Sequence, residues 1–193
     1  MALEQIKQPG REAYEWVQTL VCSVLAVVLV FTFVVRGFRV DGPSMRETLQ
    51  DGDILLILND HLCGDYQPDD IVILRKASFR DGKPIVKRVI ALAGQTVDID
   101  FGAGIVYVDG KALEEDYIRE PTWTPEGLEF PVTVPEGHIF ILGDNRNNSS
   151  DSRHKDLGPI DIRMVTGKAV FLLVPGVTAD LGAREWSRAG SLK

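Results

Sequence analysis

Two residues, far apart in the chain, could supply a nucleophile and a base. Ser44 follows the Gly42-Pro43 corner, and the apolar side chains of Met45 and Leu49 come soon after it. A serine hydroxyl becomes a useful nucleophile when a neighbouring base takes its proton. Alone the serine is uninformative, because serines at such corners commonly hydrogen-bond the local backbone.

Lys87, in the run "KPIVKRVIALAG", is the candidate base. In a strand it would share a face with Ile85 and Val89 and point toward apolar neighbours. The alternative is a lysine on an edge strand with its ammonium in water. A neutral amine near pH 7 needs a pKa about 3 units below the usual value of about 10.4, and burial among aliphatic side chains can lower a lysine pKa by that much.

The segment "GDNRNNSSDSR", residues 143–153, is dense in side-chain donors and acceptors. It is not a calcium loop, since Arg146 occupies the third position and no glycine stands at the sixth. A solvated loop with surface ion pairs is one reading. The density favours another, a hydrogen-bonded platform that holds a neighbouring element.

A Ser-His-Asp triad is a competing hypothesis for the same serine. The three histidines of the chain are His61, His138 and His154. None lies in a distinctive motif, and His154, just after the polar segment, is the best placed of them.

Composition narrows the class of protein. The chain has 193 residues, 45% of them hydrophobic, and a net charge of −7. An acidic chain without a basic run is a poor nucleic-acid binder, because phosphate contacts need clustered Lys and Arg. Cys22 lies inside an apolar stretch and Cys63 far outside it, so neither a disulfide nor structural zinc is expected.

An apolar stretch, Val17 to Val35, contains no charged residue. As a helix it would extend about 28 Å, close to the roughly 30 Å of a hydrocarbon core. A buried core helix and a cleavable signal peptide are the alternatives, but the stretch is long for the latter and no small-x-small site follows it. We expect an uncleaved anchor with a helix that begins at Arg11 and ends at Gly37. The flanking charges do not set its orientation.

The rest of the chain is predicted to be mainly β. Short β-rich runs are separated by Gly, Asp and Pro at the spacing of a sandwich or barrel. Asp109-Gly110 predicts a tight hairpin, and the polar tail after Pro175 is expected to be loosely held. The predicted strand runs are "DILLIL", "DIVILR", "VKRVIALAG", "TVDID", "IVYVDG", "HIFILGD" and "KAVFLLV".

Together these features resemble bacterial type I signal peptidase. The apolar N-terminal helix is followed in order by "GPSMRETLQDGD", "DDIVIL", "VKRVIALAG" and "GDNRNNSSDSRHKDLGPI", so the resemblance extends to about Pro175. It implies a transmembrane helix followed by an all-β catalytic domain of the kind shared with SOS-type repressors. It also implies a membrane-bound serine endopeptidase without metal or cofactor, working through a Ser/Lys dyad and an acyl-enzyme.

The resemblance implies specific roles. Ser44 matches the nucleophile, Lys87 the general base and Ser149 the serine that orients the lysine amine. The polar network behind the site matches Asp144, Arg146, Asp151 and Arg153. For an extended substrate strand beside the dyad, we expect apolar walls formed by Val40, Met45, Leu49, Ile85 and Val86.

The chain differs from some or most members of the family at Gly42, at Glu47 and at residues 91–95. The Ser44 backbone N–H is the expected oxyanion donor, while Gly42 stands where some members have a second, hydroxyl donor. Glu47 replaces the usual proline of "SMxPTL", and "ALAGQ" replaces the common "GLPGD" after the lysine strand.

The resemblance also implies location and partners. Substrates would be the signal peptides of exported preproteins, cleaved after a small-x-small sequence, and the anchor's partner would be the lipid bilayer of the plasma membrane. The expected organisation is a cytoplasmic segment, a single-pass anchor, an extracytoplasmic β catalytic domain and a polar tail, at residues 1–16, 17–36, 37–176 and 177–193.

Three readings compete with this one. A self-cleaving SOS-type repressor would have a DNA-binding domain and no anchor, the reverse of this chain. A membrane-tethered β-domain that binds exported chains without cutting them would make Ser44 and Lys87 expendable. An organellar inner-membrane peptidase of the same family stays open.

Overall fold

The protein consists of one long helix and a mainly β domain. The computed structural model describes residues 9–177 and 182–192, so the first half of the predicted N-terminal segment, residues 1–8, lies outside the described residues. Helix α1, Pro9–Leu29, continues as a π-helical segment, Val30–Val34. The stretch Gly10–Val34 is long and apolar enough to cross a membrane. The predicted fold class is confirmed.

Each strand run predicted from the sequence is a strand in the structure, and the tight hairpin at Asp109-Gly110 is confirmed. Both of its turn residues have positive φ, 51° and 75°, as a two-residue hairpin turn requires. The strands are β1 (Val35–Arg39), β2 (Ile54–Asn59), β3 (Ile71–Leu74), β4 (Ile85–Leu92), β5 (Thr96–Asp100), β6 (Ile105–Val108), β7 (Lys111–Ala112), β8 (Val132–Thr133), β9 (His138–Leu142), β10 (Ile160–Asp161), β11 (Val165–Val174) and β12 (Gly190–Ser191).

The strands form two antiparallel sheets. The larger has the order β1-β2-β11-β3-β4-β9-β10, with β12 also paired to β11, and the smaller has the order β7-β6-β5-β8. A core cluster that includes Ile90, Phe140 and Val97 joins β4 and β9 to the smaller sheet. Strand β4 therefore lies in the interior of the larger sheet, between β3 and β9, and not at an edge.

The helix ends earlier than the sequence predicted. We expected it to continue to Gly37, but the π-helical segment stops at Val34 and β1 begins at Val35. Val35 pairs with Leu58 and Arg39 with Ile54, so the ladder to β2 continues to the end of the helix. The end of the helix is therefore set by the pairing of β1 with β2, which lies later in the chain. The apolar pattern of the sequence does not predict this pairing.

Part of the C-terminal tail is docked, which corrects the expectation of a loosely held segment. β12 pairs with β11 through Phe171 opposite Ser191, and Arg188 forms an ion pair with the buried Asp53 at 2.7 Å. A buried carboxylate requires a partner, and its partner here comes from a stretch that looks merely polar in the sequence. Residues 178–181 and 193 of that tail lie outside the described residues.

Candidate active site

Ser44 lies in a compact turn between β1 and β2. Gly42 has a φ of 97°, a conformation that favours glycine, and its N–H donates to Asp51 Oδ1 at 2.9 Å. After Ser44 the turn is closed by a hydrogen bond in which the Leu49 N–H donates to the Met45 carbonyl at 2.8 Å. The side chains of Met45 and Leu49 are buried in the hydrophobic core and so anchor the turn to it.

Lys87 is held at the centre of β4, opposite Val72 of β3. Its residue exposure is 1%, and Ile85 and Val89 pack in the same core cluster as Val72. Lys87 Nζ lies 2.7 Å from Ser44 Oγ and donates to the Val86 carbonyl at 2.9 Å. The interior position of β4 thus buries the Lys87 amine and places it beside the Ser44 hydroxyl.

Burial lowers the pKa of Lys87 from 10.5 to about 8, because a charged ammonium loses its hydration in the core. The value of about 8 includes the effects of nearby charges: the carboxylates of Asp151, Asp144 and Glu126 raise this pKa, and the guanidinium of Arg80 lowers it. The net result is an amine that is partly neutral near pH 7. A neutral amine within hydrogen-bonding distance of a hydroxyl can accept its proton.

A buried ion pair supports the same strand from its other face. Arg88 Nε and Nη2 donate to the two carboxylate oxygens of Asp144 at 2.9 and 2.8 Å. Thr48 Oγ1 donates to Asp144 Oδ2 at 2.5 Å, which ties the Ser44 turn to this pair. The guanidinium of Arg88 also lies 3.9 Å from the centre of the Tyr117 ring. Asp144 thus connects the turn that carries Ser44, through Thr48, with the strand that carries Lys87, through Arg88.

The segment 143–153 is fastened by a second buried pair. Arg153 donates to both carboxylate oxygens of Asp151 at 2.8 and 2.9 Å, and neither side chain is exposed. Asp151 Oδ2 also accepts the Gly143 N–H at 3.0 Å and the Ser149 hydroxyl at 2.8 Å. Arg146 forms a two-pronged pair with Glu115, with distances of 2.5 and 2.8 Å.

This segment contacts the Ser44 turn directly. The backbone N–H of Asn145 donates to the Ser44 carbonyl at 3.0 Å, and its side-chain amide donates to the Pro43 carbonyl at 3.1 Å. Gly143 lies between the two serines: a Cβ there would be 2.1 Å from Ser149 Oγ and 2.5 Å from the Ser44 carbonyl oxygen. The segment holds its neighbour by backbone contact that only glycine allows.

The structure brings some predicted site residues together and separates others. Ser149 lines a cleft of about 520 Å³ together with Ser44, but its hydroxyl donates to Asp151, and the hydrogen bonds of Lys87 Nζ among the described residues go to Ser44 and Val86. Asp144 and Asp151 lie close enough to Lys87 to affect its pKa. Arg153 is the counter-ion of Asp151, whereas Asp144 pairs with Arg88 and Arg146 pairs with Glu115.

The predicted apolar walls divide into two groups. Val40, Ile85 and Val86 line a narrow cleft that also contacts Ser44 and Lys87. Met45 and Leu49 do not line this cleft; they lie in the hydrophobic core, in the same cluster as Val40 and Val86, and anchor the turn. The narrow cleft adjoins the larger one, since Ser44, Asp41 and Arg80 line both.

The histidine triad is not supported by the hydrogen bonds of the described residues. Among the described residues, Lys87 and not a histidine hydrogen-bonds the Ser44 hydroxyl. His154 packs edge-to-face against Phe79, and His138 Nδ1 hydrogen-bonds the Glu136 carbonyl at 2.8 Å. Residues 9–177 and 182–192 contain no group of three or more His, Cys, Asp or Glu that could hold a metal ion.

Sequence reasoning missed several residues of the site. Arg88 could have been found, because an arginine inside an apolar strand run needs a buried partner. Thr48 lies in the quoted motif "SMRETL" and could have been singled out there. No sequence signal marks Arg80 or Glu126, whose charges affect the pKa of Lys87.

Residues 13–174 match the family described as signal peptidase, peptidase S26. A signal peptidase I from Bacillus licheniformis is 34% identical over 185 residues, which cover 91% of this chain and 96% of the relative. A probable signal peptidase I-1 from Synechocystis is 37% identical over 179 residues, covering 89% of this chain and 84% of the relative.

A crystal structure of a signal peptidase I from Enterococcus faecalis is 34% identical in sequence and covers 54% of this chain and 96% of its own, with a TM-score of 0.44. The family match covers most of the chain and includes both Ser44 and Lys87. The resemblance predicted from the sequence is confirmed: this chain belongs to the signal peptidase family, peptidase S26, and is a serine peptidase.

Proposed function

We propose that this protein removes N-terminal signal peptides from exported preproteins, with Ser44 as nucleophile and Lys87 as general base. The observation that carries the proposal is the 2.7 Å separation of Lys87 Nζ and Ser44 Oγ, at a lysine that is 1% exposed. Membership of the family supports the substrate class, and curated relatives are named signal peptidase I.

The chemistry proceeds in two halves. Neutral Lys87 accepts the Ser44 hydroxyl proton while Oγ attacks the scissile carbonyl carbon, giving a tetrahedral oxyanion. When that intermediate collapses, the Lys87 ammonium gives its proton to the departing amine, and the signal peptide stays esterified to Ser44. Lys87 then takes a proton from water, the hydroxide attacks the ester carbonyl, and the proton returns to Ser44 as the acid leaves.

The oxyanion would be stabilised by the backbone N–H of Ser44. Within the described residues this N–H donates no hydrogen bond, so it is available to a ligand, and donors preorganised at a developing negative charge are a large catalytic term. At Gly42 no side chain offers a second donor, and the Gly42 N–H is already used by Asp51.

The preprotein would bind as an extended strand near β1 and β4, with alternate side chains entering pockets. The narrow cleft lined by Val40, Ile85 and Val86 lies beside both dyad atoms. A cleft of that kind accepts only a small side chain close to the scissile bond, which supports cleavage after a small-x-small sequence.

The stretch Gly10–Val34 would anchor the enzyme in the bilayer, with the N-terminus in the cytoplasm and the β domain outside it. Ser44 is nine residues beyond Val35, so it lies within roughly 30 Å of the membrane along the chain. A nucleophile at that height could meet a signal peptide whose apolar part is still in the bilayer.

The test is preprotein cleavage by the full chain in detergent. Ser44→Ala and Lys87→Ala should each abolish cleavage, and so should Lys87→Arg, because a guanidinium stays charged and cannot act as a base. Ser78→Ala and Lys83→Ala, at exposed positions, are the matched controls and should cleave normally. Near-normal cleavage by folded Lys87→Ala would refute the assignment of Ser44 and Lys87 as a catalytic dyad. If the wild type binds the preprotein without cleaving it, the result favours a non-cleaving domain.

A further inference from the structure

Arg188 lies outside the residues that match the family, 13–174, yet it contacts the segment that carries Ser44. Its Nη2 lies 2.7 Å from Asp53 Oδ2 and its Nη1 3.2 Å from Asp53 Oδ1. Nη2 also donates to the Thr48 carbonyl at 3.3 Å. The Arg188 guanidinium, from the C-terminal tail, thus binds both the Asp53 carboxylate and the Thr48 carbonyl of the segment between β1 and β2.

Asp53 is a fully buried anchor for that turn, with 0% exposure. Besides Arg188, its carboxylate accepts the Gln50 N–H at 2.8 Å and the Gly176 N–H at 2.6 Å. Among the described residues, Arg188 is the cationic side chain that pairs with Asp53. A buried carboxylate deprived of its counter-ion is strongly disfavoured, so we expect removal of Arg188 to disturb the turn that Asp53 anchors.

Thr48 links this anchor to the dyad. Its carbonyl accepts from Arg188, while its hydroxyl donates to Asp144 at 2.5 Å. Asp144 is paired with Arg88, the chain neighbour of Lys87. A shift of Thr48 would therefore move the turn that carries Ser44 relative to the strand that carries Lys87.

We propose that Arg188 is a positioning residue for the Ser44–Lys87 pair. It fixes Asp53 and Thr48, and through them the distance between Ser44 Oγ and Lys87 Nζ. The inference rests on the proposed function of that pair. Since catalysis of this kind depends on near-attack geometry, a displacement of about 1 Å can lower the rate by roughly a hundredfold.

The test compares Arg188→Gln with Arg163→Gln in the full chain, by preprotein cleavage in detergent. Arg163 is a matched control, because it also pairs with an aspartate, Asp161, but its side chain is 87% exposed. At a temperature where circular dichroism shows each variant folded, Arg188→Gln should lower kcat at least about tenfold with KM changed less than about threefold. The control should keep both constants.

Other results would overturn the proposal. They are a kcat for folded Arg188→Gln within about twofold of wild type, or a change confined to KM. If Arg188→Gln does not fold, Arg188→Lys carries the test. A lysine keeps a charge near Asp53 but cannot reach both oxygens of Asp53 and the Thr48 carbonyl, so kcat should fall about threefold. An unchanged kcat there would refute positioning.

Ser44→Ala, assayed in parallel, separates the two proposals. If that variant still cleaves, the proposed function fails regardless of Arg188. If it is inactive and Arg188→Gln is normal, only the positioning role fails.

Discussion

The acid limb of the cleavage rate should report the titration of Lys87. Burial lowers the pKa of this amine from 10.5 to about 8. With that pKa the neutral fraction is about 1% at pH 6, about 9% at pH 7 and about 90% at pH 9. An unshifted lysine would be about 0.03% neutral at pH 7, so burial increases the reactive fraction roughly 300-fold.

The assay is kcat/KM for preprotein cleavage between pH 5 and pH 9, since this quantity follows the protonation of the free enzyme. We expect it to fall about tenfold per pH unit below pH 7 and to level off above pH 8 to 9. Activity that is flat down to pH 5, in an enzyme shown to be folded there, would refute a lysine base.

Two variants should move this limb in opposite directions. Arg80→Gln removes a positive charge that lowers the Lys87 pKa, so the limb should shift to higher pH. Glu126→Gln removes a negative charge that raises it, so the limb should shift to lower pH. Arg75→Gln and Glu129→Gln, at exposed positions, are the matched controls. Shifts of the same sign in both test variants would contradict the electrostatic account.

Three further predictions concern stability and packing. The Lys87 pKa falls on folding from 10.5 to about 8, so the charged amine destabilises the fold below pH 8 by on the order of 3 kcal/mol, a cost that disappears as pH rises through 10.5. Lys87→Met should therefore abolish cleavage but raise the free energy of unfolding in urea at pH 7, with a smaller gain at pH 10. Gly143→Ala should lower cleavage at least about a hundredfold, since its Cβ would lie 2.5 Å from the Ser44 carbonyl oxygen; near-normal activity would mean that the segment can yield. Thr48→Val removes the hydroxyl that donates to the buried Asp144 and should cost about 1–3 kcal/mol in urea unfolding, whereas Thr133→Val on the exposed surface should cost much less.

The sequence by itself determined the class of the fold and the identity of the candidate residues. Each β-rich run became a strand, because strand patterning and turn residues act locally. The apolar stretch Val17 to Val35 could likewise be recognised from the sequence, because its length and lack of charge are local properties. Ser44, Lys87 and the polar segment 143–153 could be singled out from residue types and ordered motifs.

Only the tertiary structure decided whether those residues meet, and in what surroundings. The 2.7 Å separation of Ser44 and Lys87, and the low pKa of that lysine, depend on β4 lying inside a sheet whose other strands come from distant parts of the chain. The same applies to the end of the helix at Val34 and to the ion pair between Arg188 and Asp53. Contacts and desolvation arise between residues far apart in sequence, so local patterns cannot encode them.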